Sequence, residues 1–149
     1  MTLKSALLTL LLSLAFKFSF TQVPLDISNK FFAVYKQGDT DKALDFLFSN
    51  SPYAKDIQDG IDDVKRKLKK HVDQIGKYYG YDLLVKRTAG PNLILVTFLV
   101  RHDREPMTFQ MLYYKPNDKW QMQNFKYSNS TDEELEEASK AYRLKENYE

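Results

Sequence analysis

The chain has 149 residues, no cysteine, and 22 lysines and arginines against 20 acidic residues. The lack of cysteine excludes disulfides, thiolate metal ligands and a cysteine nucleophile. The hydrophobic content of 43% and aromatic content of 14% are typical of a globular core. Two cations, Lys4 and Lys17, precede the cleavage point predicted below, so 20 cations remain against 20 anions. This balance disfavours a nucleic-acid or anionic-membrane partner, because both require excess positive charge.

Residues 1–21 have the pattern of a secretory signal peptide. Lys4 is followed by a run from Ala6 to Phe16 that consists almost entirely of Ala, Leu and Phe. About 11 apolar residues suit a signal peptide and fall short of the ~20 that cross a bilayer, so an uncleaved anchor is the weaker hypothesis. We therefore predict a secreted or periplasmic protein, with one domain over residues 22–130 and a C-terminal helix with a charged tail over residues 131–149.

Three helices are predicted before any strand. The first begins at Asp26, a favourable N-cap residue, and ends at Gly38, and the second begins at Asp39 or Thr40. The third is predicted to end at Gly80. Its apolar residues recur every three or four positions and form one stripe of Ile57, Ile61, Val64, Leu68, Val72 and Ile75.

Four strands follow, and short turns between them predict an antiparallel meander. Their predicted ranges are Tyr81–Thr88, Leu93–Arg101, Met107–Lys115 and Trp120–Tyr127. The second strand is apolar on both faces, which is typical of a central strand. In the fourth strand, Trp120 and Met122 differ in parity from Phe125 and Tyr127. A bulge near Gln123–Asn124 would let all four side chains face the core.

After the strands, Thr131 and Glu134 have the spacing of a capping box that opens a short helix. The order of elements predicts an α+β fold. Three N-terminal helices are expected to pack on one face of a curved four-stranded antiparallel sheet, and the short helix closes the chain.

Three segments of this layout carry a family resemblance. They are the helix pair from Phe31-Phe32 to Leu47-Phe48, the stretch Ile75–Tyr81, and Phe109–Pro116 followed by Trp120 and Asn124-Phe125. Over Asp26–Tyr127 the chain resembles the ketosteroid-isomerase and nuclear-transport-factor-two-like superfamily, also called cystatin-like. In particular it is similar to small secreted bacterial domains of unassigned function. The resemblance implies a cone-shaped sheet around a cavity, but no particular chemistry.

Residues with catalytic potential are few. The two histidines are His71, on a flank of the third helix, and His102, beside a turn. A surface position is expected for His102, while its parity along the second strand gives the alternative of a place at the cavity rim. Neither has further ligands at metal-binding spacing. Asp82 is interpreted as a solvated strand acid, and the basic run 65–70 as a solvated helix face that carries its own counter-charges. We therefore predict no catalytic residue, no metal and no cofactor.

Aromatic residues that combine apolar area with a polar tip are the candidates for lining the cavity. Asn124 is the polar residue expected to point inward. The predicted ligand-binding residues are Tyr79, Tyr81, Tyr113, Trp120 and Asn124.

These observations favour a secreted, non-catalytic binding or interaction domain whose partner is an unknown small molecule or protein. The alternative is an isomerase- or hydratase-type enzyme that uses an acid and tyrosines in the cone, with Asp82, His102 or a tyrosine as base or donor. One layer of helices cannot cover both apolar faces of the second strand. We therefore also predict a homodimer through the outer sheet face. No nucleic-acid partner is expected, and no membrane partner after signal cleavage.

Overall fold

The computed structural model describes residues 24–146, so the predicted signal peptide lies outside the described residues. No helix in this range is long and apolar enough to cross a bilayer. The described elements are α1 (Pro24–Tyr35), α2 (Thr40–Phe48), a 3₁₀ helix (Ala54–Ile57), α3 (Gln58–Ile75), β1 (Tyr78–Thr88), β2 (Leu93–His102), β3 (Met107–Tyr114), β4 (Gln121–Ser128) and α4 (Thr131–Glu146).

The four strands form one antiparallel sheet in the order β1-β2-β3-β4, which confirms the predicted α+β class and meander. Each strand pairs with the next in sequence, because the connections are short enough for hairpins. β2 therefore lies inside the sheet, as its continuous apolar run predicted.

The core lies between the helices and one face of the sheet, called here the inner face. Side chains that alternate along β2 and β3 are buried on this face, and α1 supplies the opposing layer. The ring centroids of Phe31 and Phe109 are 6.0 Å apart, which shows how closely α1 and β3 approach. The inner-face residues of the two central strands are Ile94, Val96, Phe98, Val100, His102, Met107, Phe109, Met111 and Tyr113.

The first two helices begin and end close to the predicted residues. α1 begins at Pro24, so Asp26 lies in its first turn and not at the N-cap. Gly38 follows α1 with φ +83°, a conformation that favours glycine. Asp39 caps α2, because its Oδ1 accepts a hydrogen bond from the Lys42 backbone N–H at 2.9 Å.

The predicted end of the third helix is wrong. α3 ends at Ile75, where Gly76 has φ +85°, and residues 78–80 already belong to β1. Two glycines four positions apart could each end the helix, and the pairing of Tyr78 with His102 draws the chain into the sheet from Tyr78 onward. Ile57 precedes α3 and is 51% exposed, so it is not part of the buried stripe.

The end of the chain shows one confirmed and two incorrect predictions. β4 has a bulge at Gln123, and Met122 and Phe125 on either side of it are both buried. α4 begins at Thr131, whose hydroxyl makes no hydrogen bond to any described residue, so the predicted capping box does not form. α4 has 16 residues and is longer than expected.

Candidate functional site

The five residues predicted to line a cavity occupy separate parts of the structure. Tyr113 is fully buried, and its hydroxyl oxygen lies 2.9 Å from Ser28 Oγ. Burial raises the pKa of the Tyr113 hydroxyl. Tyr81 is half-buried. Its ring stacks on Phe32 with 3.8 Å between centroids, and its hydroxyl donates to Asn29 Oδ1 at 2.8 Å. Both tyrosines therefore hold α1 against the sheet.

The other three predicted residues lie nearer the surface. Tyr79 is 56% exposed, and Trp120 is half-buried just before β4, at the opposite edge of the sheet. Asn124 is exposed and pairs with Leu112 on the outer face, so the prediction that it points inward is wrong. The bulge before it turns Phe125 into the core instead. The predicted residues therefore do not converge on one site.

Aromatic rings fill the space between α1 and the inner face. The Phe31 centroid lies 6.1 Å from that of Phe125, and the Phe32 centroid lies 5.0 Å from that of Phe98. Rings at these separations attract each other and pack at the density of a protein interior. The region where a cavity was expected is therefore occupied by core side chains.

One buried polar pair interrupts this core. His102 is 8% exposed, and its Nε2 lies 3.1 Å from the hydroxyl oxygen of Tyr35, which is 3% exposed. Nδ1 of His102 is buried and makes no hydrogen bond to any residue in the described range. The predicted surface position of His102 is therefore wrong. The inward alternation of β2 decided its orientation, and this parity was the sequence signal that could have revealed it.

The protonation states around His102 follow from burial. Burial lowers the pKa of His102 below its ordinary value of 6.5, while the Val100 carbonyl opposes the decrease and nearby His71 adds to it. The Tyr78 ring lies 5.8 Å from the imidazole, and burial raises the pKa of Tyr78 to about 12. At neutral pH the imidazole and the phenols around it are therefore uncharged.

The β2–β3 turn follows His102 and is fixed by backbone hydrogen bonds. The Asp103 N–H donates to the Lys77 carbonyl at 3.0 Å and the Arg104 N–H donates to the Ile75 carbonyl at 3.1 Å, so the turn is tied to the end of α3. Beside it lies an open cleft of about 360 Å³, whose lining residues are Tyr79, Arg101, His102, Asp103, Arg104, Glu105 and Pro106.

The second histidine borders the same turn. His71 Nε2 lies 2.9 Å from Glu105 Oε1, close enough for an ion pair when the imidazole is protonated but not aligned as a hydrogen bond. Among the described residues, no three histidines, aspartates or glutamates are grouped to hold a metal ion. The chemistry available at this end of the fold is proton transfer between an imidazole, phenols and water.

A second feature is the exposed apolar surface of the sheet. The consecutive residues Leu83, Leu84 and Val85 of β1, called here the apolar edge, are 48%, 49% and 36% exposed. Val85 pairs with Thr97 on the outer face, between the half-buried Leu95 and Leu99, whereas Leu83 pairs with Phe98 on the inner face. The sequence of β1 did not predict this exposure, because consecutive apolar residues at the centre of a strand are also typical of a buried strand.

Comparisons of the chain with protein-family models, with curated proteins and with solved structures found no match.

Proposed function

We propose that this chain is a secreted, non-catalytic interaction domain that binds a protein through the apolar surface of its sheet. The observation that carries the proposal is the apolar edge, whose Val85 lies on the outer face between the half-buried Leu95 and Leu99. Contiguous apolar side chains in contact with water usually mark an interface, above all on an edge strand. A protein partner is favoured over a small molecule, because aromatic rings fill the space between α1 and the sheet.

The helix–sheet layout supports membership of the ketosteroid-isomerase-like superfamily as part of this proposal. In that case the sheet is a cone whose interior is filled by its own core. The outer face, with Leu95, Leu99 and Leu112, remains part of the proposed binding surface, including for a second copy of the chain.

The binding surface can be tested by crosslinking. Because the chain has no cysteine, one introduced cysteine carries a benzophenone probe at a single position. Leu95→Cys places the probe on the outer face, and Lys42→Cys places it on α2, where the lysine side chain is 78% exposed. The labelled proteins are irradiated in culture medium and cell-surface extract of the producing organism.

We expect discrete crosslinked products from Leu95→Cys and none from Lys42→Cys. Equal products from both positions, or none from either, would contradict a binding surface on the sheet.

Secretion is tested separately by N-terminal sequencing of extracellular protein, which should begin near Gln22. A sequence that begins at Met1 would contradict cleavage.

The His102–Tyr35 pair favours a second candidate, an enzyme that transfers protons. His102 is one of the residues that line the open cleft, and a neutral imidazole beside a cleft is a candidate general base. Asp82, the acid considered from the sequence, is exposed on the outer face and pairs with Arg101, which lines the cleft, but Asp82 itself is not among the lining residues.

The enzymatic hypothesis is tested by deuterium exchange at the α-carbon of a panel of ketones. An enzyme should accelerate exchange over buffer, and His102→Leu should abolish the acceleration, while Tyr114→Phe, at an exposed tyrosine outside the cleft, should retain it. Exchange at the buffer rate with the unmodified protein would exclude this chemistry for the panel.

A further inference from the structure

We propose that β1 pairs in antiparallel orientation with β1 of a second copy, which joins two sheets into one. This inference rests on the proposed function and names the partner of the apolar edge. β1 has 11 residues and is the first strand of the order β1-β2-β3-β4, so one side of its backbone has no neighbouring strand among the described residues. Backbone N–H and C=O groups on such an edge are available to another strand.

The two edges of the sheet differ in a way that points to β1. In β4 the apolar residues Met122 and Phe125 are buried, and the exposed residues Gln123, Asn124 and Lys126 are polar or charged. A polar edge of this kind disfavours strand addition. β1 instead exposes the apolar edge at its centre, where a pairing strand would cover it.

A bulge at Leu84 sets which side chains of β1 share a face. Asp82 pairs with Leu99 before the bulge, and Arg87 pairs with Leu95 after it, so both lie on the outer face. Without the bulge, residues five positions apart would lie on opposite faces.

One antiparallel register sets side chains of the same face opposite each other and also pairs opposite charges. It places Asp82 opposite Arg87 of the second copy on the outer face, and Leu83 opposite Lys86 of the second copy on the inner face. Two-fold symmetry repeats each pair, so two Asp82–Arg87 contacts flank the central apolar residues. Asp82 Oδ2 contacts Arg101 Nε of its own chain at 3.0 Å, and the carboxylate retains a second oxygen for the partner's arginine.

This complementarity explains why a second copy is the favoured partner. A bulge and a basic pair, Lys86 and Arg87, would normally protect an edge strand from addition. In the antiparallel register the arginine faces an acid and the two bulges meet near the symmetry axis. A parallel, in-register pairing would instead place Asp82 against Asp82 and Arg87 against Arg87, which is unfavourable.

Charge exchange between the two positions tests the register. Arg87→Asp places acids opposite each other in the homodimer, and Asp82→Arg places cations opposite each other. Each variant should therefore dissociate at about tenfold higher concentration than the unmodified protein, since attraction becomes repulsion at two symmetric sites. An equimolar mixture of the two variants restores both opposite-charge pairs and should recover the dimer.

The masses are measured by sedimentation equilibrium over a wide concentration range. Lys126→Asp is the matched control, because it makes the same charge change at an outer-face position of the opposite edge strand and should leave the dimer intact. Leu95→Lys reports on association through the outer face.

A dimer that weakens in both single variants and recovers in the mixture would support the β1 pairing. A dimer lost with Leu95→Lys but unaffected by Arg87→Asp would overturn the pairing and support association through the outer face. A monomer at all concentrations would overturn the inference. In that case crosslinks from Leu95→Cys to a different protein would still support the proposed function.

Discussion

The buried hydrogen bond between Tyr35 and His102 can be measured by replacing each partner separately and then together. Tyr35→Phe leaves the imidazole Nε2 without its partner at 3.1 Å, and His102→Leu leaves the tyrosine hydroxyl unpaired. Both side chains are more than nine-tenths buried, so water cannot readily replace the lost partner. Each single substitution should therefore lower the free energy of unfolding by about 1–3 kcal/mol.

The double variant removes both polar groups and leaves neither unpaired. Its loss should be smaller than the sum of the two single losses, by a coupling energy of about 1 kcal/mol. Urea unfolding followed by far-UV circular dichroism at about pH 7.5, where the imidazole is neutral, measures all four proteins. Additivity within about 0.5 kcal/mol would show that the contact contributes no coupling and would refute the reasoning.

The same proteins test the lowered pKa of His102. The folded state resists protonation of this imidazole more than the unfolded chain does, because burial disfavours its charge. Its contribution to stability is therefore present above the ordinary value of 6.5 and is lost as the pH falls below it. The unmodified protein should lose more stability than His102→Leu between about pH 7 and pH 5. Parallel losses in the two proteins would contradict the lowered pKa.

Two further predictions concern backbone conformation and tyrosine ionisation. Gly76→Ala should destabilise the fold by about 1–3 kcal/mol, because φ is +85° and the new Cβ would lie 3.1 Å from Asp103 Cβ. The control Gly60→Ala, in α3 with no atom within 4 Å of its added Cβ, should stabilise it by up to about 1 kcal/mol in chemical denaturation. Equal effects would contradict the assignment of strain to Gly76. Absorbance titration at alkaline pH should show three tyrosines that ionise only well above the ordinary value of 10.0 or on unfolding, and these are Tyr35, Tyr78 and Tyr113. The contribution of these tyrosines to the free energy of unfolding is lost as the pH rises, because the unfolded chain releases their protons at a lower pH than the folded protein does. Normal ionisation of all described tyrosines in the folded protein would contradict their burial.

The predicted elements were close to the observed ones where local pattern carried the information. The short turns predicted the hairpins of the meander, and the change of parity along β4 predicted the bulge at Gln123. Errors arose where two local signals competed. Gly76 and Gly80 were both suitable helix ends, and strand pairing decided between them.

The candidate sites were less predictable than the fold. Alternation along β2 and closeness to a turn gave opposite predictions for His102, and the packing of α1 against β2 resolved them. Tyr79 and Trp120 are both aromatic residues with a polar tip but lie at opposite edges of the sheet, so chemical similarity did not predict proximity. The apolar edge escaped prediction because exposure depends on what covers a strand.

The sequence by itself determined the order of the elements, the antiparallel meander and the alternation of buried positions. These features follow from short-range sterics and from the periodic burial of apolar side chains, which are both legible within a few residues. Only the tertiary structure brought the Tyr35 hydroxyl to 3.1 Å from Nε2 of His102, which lies 67 positions later in the chain. It also left Leu83, Leu84 and Val85 exposed. Such outcomes depend on how far the helices extend over the sheet and on which strand lies at its edge.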